Sequence, residues 1–198
     1  MTGFWFDGED AQSSLIDPAL RGFLDAGPPP LVLTYSSQPL RDPAAVLGAH
    51  VEAARRLGLR LVTQLGWAGF DPAMLAGRWD HRSVHFADHV PHDLLFQRAL
   101  AVIHHGGTGT TGAGLIAGCP TWIYSLFYDQ PFWGTRVRRL GVGGHSRFRR
   151  MRADLLAEVV GRLGREEIRR RAVALGDRLR REDGVAAAMS VITRATRG

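Results

Sequence analysis

ALAVIHHGGTGTTGAGLIAGCP, residues 99–120, is the stretch whose reading decides the fold. It opens on an apolar run (Ala99 to His104) suited to a buried strand. It then turns through glycine and threonine and continues as a small-residue helix, Thr108 to Ala117. Glycines let the backbone approach a ligand closely. A helix start offers unpaired N–H groups and a partial positive charge, so this turn is suited to phosphate. His105, at the strand end, is placed to donate a ring N–H to the same anion. Thr108, Thr110 and Thr111 would add hydroxyl donors. His104 reads as a core or loop histidine rather than a ligand.

Strands and helices alternate on both sides of this segment. GPPP, residues 27–30, is a stiff turn before the strand LVLTY, residues 31–35. Asp42-Pro43 has the form of an N-cap with proline at the first helical position, and the helix runs to Leu57 before Gly58 stops it. Further strands are predicted at residues 59–64, 83–86 and 120–124, with a short sixth strand beginning at 141–143. Helices are predicted at 91–98, 130–140, 153–181 (broken near Gly164) and 184–194. The alternation predicts one α/β domain over residues 1–198, a doubly wound parallel sheet of about six strands with helices on both faces. In such sheets ligands sit at the carboxyl ends of the strands.

Composition narrows the function classes. The net charge is +6, every basic residue is arginine, and lysine and asparagine are absent. Both absences follow from GC-rich codon usage, which weakens the basic balance as a sign of function. Residues 1–134 carry 8 Arg against 12 Asp or Glu, and residues 135–198 carry 17 Arg against 7. That asymmetry reads first as solvated helix faces, so no nucleic-acid partner is expected. The RFRRMR cluster, residues 147–152, reads the same way or as a contact with another domain. The single Cys119 cannot form an internal disulfide, and no apolar run long enough to span a membrane occurs, so a cytoplasmic protein is expected. There is no G-x-S-x-G elbow, no H-E-x-x-H and no G-x-x-x-x-G-K-[ST] loop. Gly107-x-Gly109-x-x-Gly112 fits a dinucleotide fingerprint, but it follows the fourth strand rather than the first, and the nearest downstream acid, Asp129, lies beyond an aromatic loop.

Residues 104–143, HHGGTGTTGAGLIAGCPTWIYSLFYDQPFWGTRVRRLGVG, strongly resemble the donor-binding signature of the UDP-glycosyltransferase superfamily. The branch that glycosylates sterols, macrolides and glycopeptide antibiotics is the most similar. The opening GFWF, the GPPPLVLTYSSQ strand and DHVPHDLLF extend the likeness more loosely. The resemblance implies the Rossmann-like C-terminal half of a GT-B fold and, at matching positions, the following roles. His105 would hold the donor's phosphates, with Gly109 and Thr110 as the next contacts, largely through backbone N–H groups and a hydroxyl; Gly107 and Thr108 of the same turn are counted among the donor-binding residues. Ser37 would offer a further phosphate contact. Asp129 and Gln130 would hydrogen-bond the sugar hydroxyls. His89 and Val90 would stack on and hydrogen-bond the base. Three positions differ from the family pattern: Ala113 where plant-type members have a ribose-binding glutamate, His89 in place of an aromatic at the stacking position, and TYSSQ in place of F-G-S.

The resemblance further implies an inverting transfer from a UDP- or dTDP-sugar to a hydroxylated small molecule, as in antibiotic biosynthesis. No cofactor or metal is implied, because His105 and the helix start take the cation's part. The catalytic base would come from an N-terminal acceptor-binding domain, and no catalytic residue is expected among these 198. The chain is then a truncated enzyme, a degenerate homologue or one subunit of a split enzyme. A non-catalytic nucleotide-sugar-binding subunit and an NAD-dependent oxidoreductase are the alternatives. On local grounds alone, Asp129 would cap the helix after it, and Trp122, Phe127, Tyr128, Phe132 and Trp133 would pack in the core or on the sheet.

Overall fold

The computed structural model describes residues 2–5, 16–88 and 90–196. Six strands form one sheet: β1 (Leu31–Thr34), β2 (Leu61–Gln64), β3 (Val84–Ala87), β4 (Ala101–His104), β5 (Thr121–Ser125) and β6 (Gly143–Arg147). Every pairing is parallel, and the order is β3-β2-β1-β4-β5-β6. The winding therefore reverses between β1 and β4, where Thr34 pairs with His104. At that reversal the loops leaving two adjacent strands diverge to opposite faces and open a crevice.

Eight helices join and cover the strands: α1 (Pro18–Asp25), α2 (Pro43–Arg56), α3 (His92–Phe96), α4 (Thr108–Ile116), α5 (Gln130–Leu140), α6 (Ala153–Leu163), α7 (Glu166–Leu179) and α8 (Gly184–Ala195). The period-two pleat sorts the core. Leu31, Leu33, Leu61, Ile103, Trp122 and Tyr124 face α2 and α6. Val32, Val62 and Val102 face the layer of α1 and α3. Ile123 meets Val137 of α5 and Ala172 of α7. All eight residues of β1 and β4 are buried. At roughly 1.5–3 kcal/mol per buried Leu, Val or Ile, this central pair is firmly anchored beneath the two loops that matter for function.

The doubly wound parallel sheet expected from the sequence is present, with helices on both faces. Asp42 caps α2 through the Ala45 N–H, with Pro43 at the first position. The break near Gly164 separates α6 from α7. Two elements differ from the sequence reading. Helix α1 was not expected, although Asp17-Pro18 repeats the same start signal: the Asp17 carboxylate accepts from the Ala19 and Leu20 N–H groups. Strand β6 extends to Arg147, beyond its expected start at 141–143. A glycine-led strand has little propensity of its own. Its glycines serve packing: a Cβ on Gly144 would fall 2.0 Å from the Trp122 ring.

Candidate functional site

The loops leaving β1 and β4 flank the crevice at the reversal of strand order. After His104 the chain turns through Gly106, whose φ is +100°. A Cβ there would lie 2.6 Å from Ile123 Cγ2 and 3.2 Å from Gln130 Cβ, so only glycine fits. His104 is fully buried, and its Nδ1 accepts the Gly106 N–H at 3.0 Å. Burial, with His105 and His92 adding to it, holds its ring well below the usual histidine range. His104 is thus a neutral lock on the turn, which agrees with its reading as a core histidine.

His105 points the other way. Its ring lies over Gly107, where a Cβ would stand 2.6 Å from Nε2. Gly107 is the N-cap of α4, so the imidazole sits at that helix's start. Behind it the ring stacks on buried Tyr35, with centroids 6.3 Å apart and planes 26° apart. Burial lowers the His105 pKa, partly opposed by the Asp129 carboxylate, so the imidazole is neutral at pH 7 and carries one ring proton. Nδ1 is buried and has no partner.

No side chain caps α4, and no acid lies in its first turn. Its first N–H groups, which a helix cannot satisfy internally, remain unspent beside about half a unit of positive charge. Gly109 meets nothing within 4 Å on its Cβ side. Packing within the protein does not require glycine there, which leaves room for close ligand approach. Thr110 is buried in the same turn. Thr111 corrects the sequence reading: its hydroxyl is buried and donates to the Gly107 carbonyl at 2.8 Å, so it is not a ligand donor.

Asp129 precedes α5, but its side chain makes no capping hydrogen bond. Instead Oδ2 accepts from Thr108 Oγ1 at 2.9 Å and from Trp133 Nε1 at 2.9 Å. The expected capping role is overturned because Thr108 offers the carboxylate a donor outside its own helix. Burial alone would raise the Asp129 pKa, but the Thr108 and Trp133 hydrogen bonds outweigh it and the net shift is downward. The acid stays ionised at neutral pH. Gln130 is buried, and its Oε1 accepts the Leu126 and Phe127 N–H groups at 2.7 and 3.2 Å. Only its amide nitrogen is left for a ligand. Tyr128, at φ +52° and 88% exposed, holds the strained left-handed geometry between them.

On the β1–β3 side lies an open cavity of about 740 Å³ lined by Ser36, Ser37, Gln64, Trp67, Val90 and His92, among others. Ser37 is exposed there. The Val90 carbonyl accepts from Gln64 Nε2 at 2.9 Å, while Gln64 Oε1 is buried without a partner. Trp67 is 77% exposed. His89 lies outside the described residues. The cavity lining stops short of His105 and Asp129, which stand on the β4–β5 side. The site is thus a crevice with two arms, not one pocket.

Sequence reasoning passed over Gln64, Tyr35 and Trp133. For Trp133 the signal was present: Asp129 and Trp133 are four residues apart, on one helix face. Of the five aromatics read as packing, Trp122 is buried, whereas Phe127, Tyr128 and Phe132 are exposed. In the RFRRMR cluster the arginines are exposed. Phe148 and Met151 instead pack against Tyr35 beneath the site. Among the described residues, no group of three or more His, Cys, Asp or Glu could hold a metal ion, and no helix is long and apolar enough to cross a membrane.

An uncapped helix start, a neutral histidine and a held carboxylate at the switch point define a doubly wound domain with a site suited to an anionic ligand. The chain belongs to the family of erythromycin biosynthesis protein CIII-like C-terminal domains, whose profile matches residues 81–186. The sterol 3-beta-glucosyltransferase of Arabidopsis thaliana is 37% identical over 182 residues, covering 91% of this chain and 28% of the relative. The vancomycin aglycone glucosyltransferase of Amycolatopsis orientalis is 39% identical over 142 residues, covering 72% and 32%. The chain thus spans less than a third of either relative. The crystal structure of the glycotransferase of kitacinnamycin superposes with a TM-score of 0.80 at 24% identity, covering 98% of this chain and 48% of that one. The fold is the Rossmann-like half of a GT-B glycosyltransferase.

Proposed function

We propose that the chain binds the donor in an inverting glycosyltransferase that moves a sugar from a UDP- or dTDP-sugar to a hydroxyl of a small molecule. The observation that carries this reading is the His105 imidazole seated over Gly107 at the open start of α4. The donor's diphosphate lies across that start and takes N–H donors from the first turn, with Ser37 as a further contact from the β1 loop. His105 donates from Nε2. As the glycosidic bond breaks, negative charge grows on the leaving diphosphate. Donors already aimed at it lower the barrier without reorganising. Asp129 accepts from sugar hydroxyls through its free oxygen, and the Gln130 amide nitrogen donates. The base occupies the 740 Å³ cavity, where Val90 presents backbone groups.

The base that deprotonates the acceptor comes from a second, acceptor-binding domain or subunit across the crevice. The relatives named for a sterol and for vancomycin aglycone support a hydroxylated natural product or lipid-like acceptor. The same site without that partner would be a nucleotide-sugar-binding subunit. The transfer is assigned to the cytoplasm, in keeping with a single buried thiol, Cys119. The oxidoreductase alternative is disfavoured, because β2 ends at Gln64 rather than at an acid, and the glycine fingerprint follows β4 instead of β1.

Calorimetric titration of the chain with UDP, dTDP and NAD tests the proposal. Preference for one pyrimidine diphosphate supports it and identifies the base, and preference for NAD overturns it. Transfer detected on adding an acceptor-binding domain separates the enzyme from the non-catalytic subunit.

A further inference from the structure

Asp129 is a carboxylate beside the uncapped start of α4, and the two donors it takes from other described residues reach the same oxygen. Oδ2 takes both protein donors, Thr108 Oγ1 and Trp133 Nε1, each at 2.9 Å. The indole nitrogen is also 3.0 Å from Thr108 Oγ1, so the three groups close a small hydrogen-bonded ring. No other residue among those described donates to Oδ1, which is left for a ligand. The arrangement gives up the ordinary role of an aspartate at a helix start, since Asp129 caps nothing in α5.

Trp133 is itself fixed in place. Its ring packs against Phe4, with centroids 5.5 Å apart, and against the edge of Phe132 at 5.2 Å. The one donor of the indole is thereby aimed at Asp129, one helical turn back on the same face. An unheld, exposed carboxylate would have to be immobilised when a sugar binds, at a cost in conformational entropy.

We propose that Trp133 is a positioning residue for sugar recognition: its indole N–H fixes the Asp129 carboxylate so that Oδ1 faces the sugar hydroxyls. This rests on the reading of Asp129 as the sugar-binding acid. It assigns to the Asp-x-x-x-Trp spacing of α5 a role in selecting nucleotide sugar over bare diphosphate.

The experiment is titration of UDP-glucose and UDP into the wild-type chain, Trp133→Phe and Asp129→Ala. Phenylalanine keeps an aromatic ring for Phe4 while removing the N–H donor. Trp133→Phe is expected to weaken UDP-glucose about fivefold, the equivalent of about 1 kcal/mol, and to leave UDP within about twofold. Asp129→Ala should be selective in the same direction and larger. If Asp129→Ala is selective and folded Trp133→Phe binds both ligands like wild type, the positioning role is overturned while the sugar reading of Asp129 stands. If Asp129→Ala weakens both ligands alike, or neither, that reading fails and the role of Trp133 fails with it. Should Trp133→Phe not fold, the wild-type chain decides through the Trp133 indole N–H resonance, assigned by its contacts to Phe4. A shift with UDP-glucose that UDP does not produce supports the proposal, and equal or absent shifts overturn it.

Discussion

Gly107→Ala is the sharpest probe of the phosphate site, because it moves His105 without altering it. The added Cβ would stand 2.6 Å from His105 Nε2, and ordinary contact begins at 3.4 Å. The ring cannot retreat, since Tyr35 lies behind it, fully buried and packed edge-on by Phe70 and Phe148. It must therefore rotate out of its place over the start of α4. The backbone itself tolerates alanine, with φ −60° and ψ 145°. Losing the better N-cap residue costs about 1 kcal/mol or less. Displacing Nε2 forfeits a hydrogen bond to a charged phosphate, about 1.5–3 kcal/mol, or roughly 10- to 150-fold in Kd. The variant is thus expected to melt close to wild type and to bind UDP nearly as poorly as His105→Ala.

Calorimetry with UDP on wild type, Gly107→Ala and His105→Ala, beside thermal melts of all three, provides the check. Gly109→Ala is the companion variant: its Cβ meets open space, so any loss of UDP affinity there reports ligand backbone approach rather than a moved histidine. A folded Gly107→Ala that binds UDP as tightly as wild type would refute the placement of Nε2 against the ligand.

Other expectations follow from the same geometry. Thr111→Val removes the hydroxyl that donates to the Gly107 carbonyl and should lower stability by about 1 kcal/mol with UDP affinity unchanged; a collapse in UDP binding would show instead that this hydroxyl reaches the ligand. Burial pushes the fully buried His50 down to about 4 from 6.5, so the unfolded chain takes up this proton first as pH falls. Its contribution is intact above pH 6.5 and is lost between there and pH 4, about 3 kcal/mol in all. Urea unfolding at pH 7 and pH 4.5 should therefore show a smaller acid loss for His50→Leu than for wild type, and equal losses would count against the assignment. Thr108→Val and Asp129→Ala should combine non-additively on UDP-glucose affinity, with a coupling of about 0.5 kcal/mol or more; additivity would mean that their hydrogen bond is not maintained in solution.

The sheet was legible because parallel strands buried on both faces read as unbroken apolar runs, as at Leu31–Thr34 and Ala101–His104. Helix α1 was missed although Asp17-Pro18 carries the same start signal as Asp42-Pro43. The buried place of His104, and the position of His105 at the helix start, followed from their place at a strand end. One side chain turns into the core, and the other leaves the sheet with the loop. The direction of Asp129 was not legible. Local propensity turns an aspartate at a helix start onto its own helix, and the competing donor, Thr108, lies 21 residues away in sequence. Trp133 carried a local signal in its spacing, but without the position of Thr108 nothing marked it as more than packing.

Thr108 is where the two halves of the site constrain each other. It is the first residue of α4, so its backbone N–H lies at the helix start proposed for the phosphates, while its hydroxyl donates to Asp129, the acid proposed for the sugar. A hydroxyl has one proton. It cannot serve a diphosphate and the carboxylate at once, so under the proposed function a hydroxyl contact to phosphate would fall to Thr110, with Thr108 contributing its N–H alone. Division of labour along a single helical turn explains why the threonines of residues 108–111 are not equivalent despite their identical chemistry. The first ties the turn to Asp129, the one at 110 would be left for the proposed anion, and the one at 111 closes the turn on Gly107. Residue type alone could not distinguish these roles; they depend on which neighbour each hydroxyl meets first.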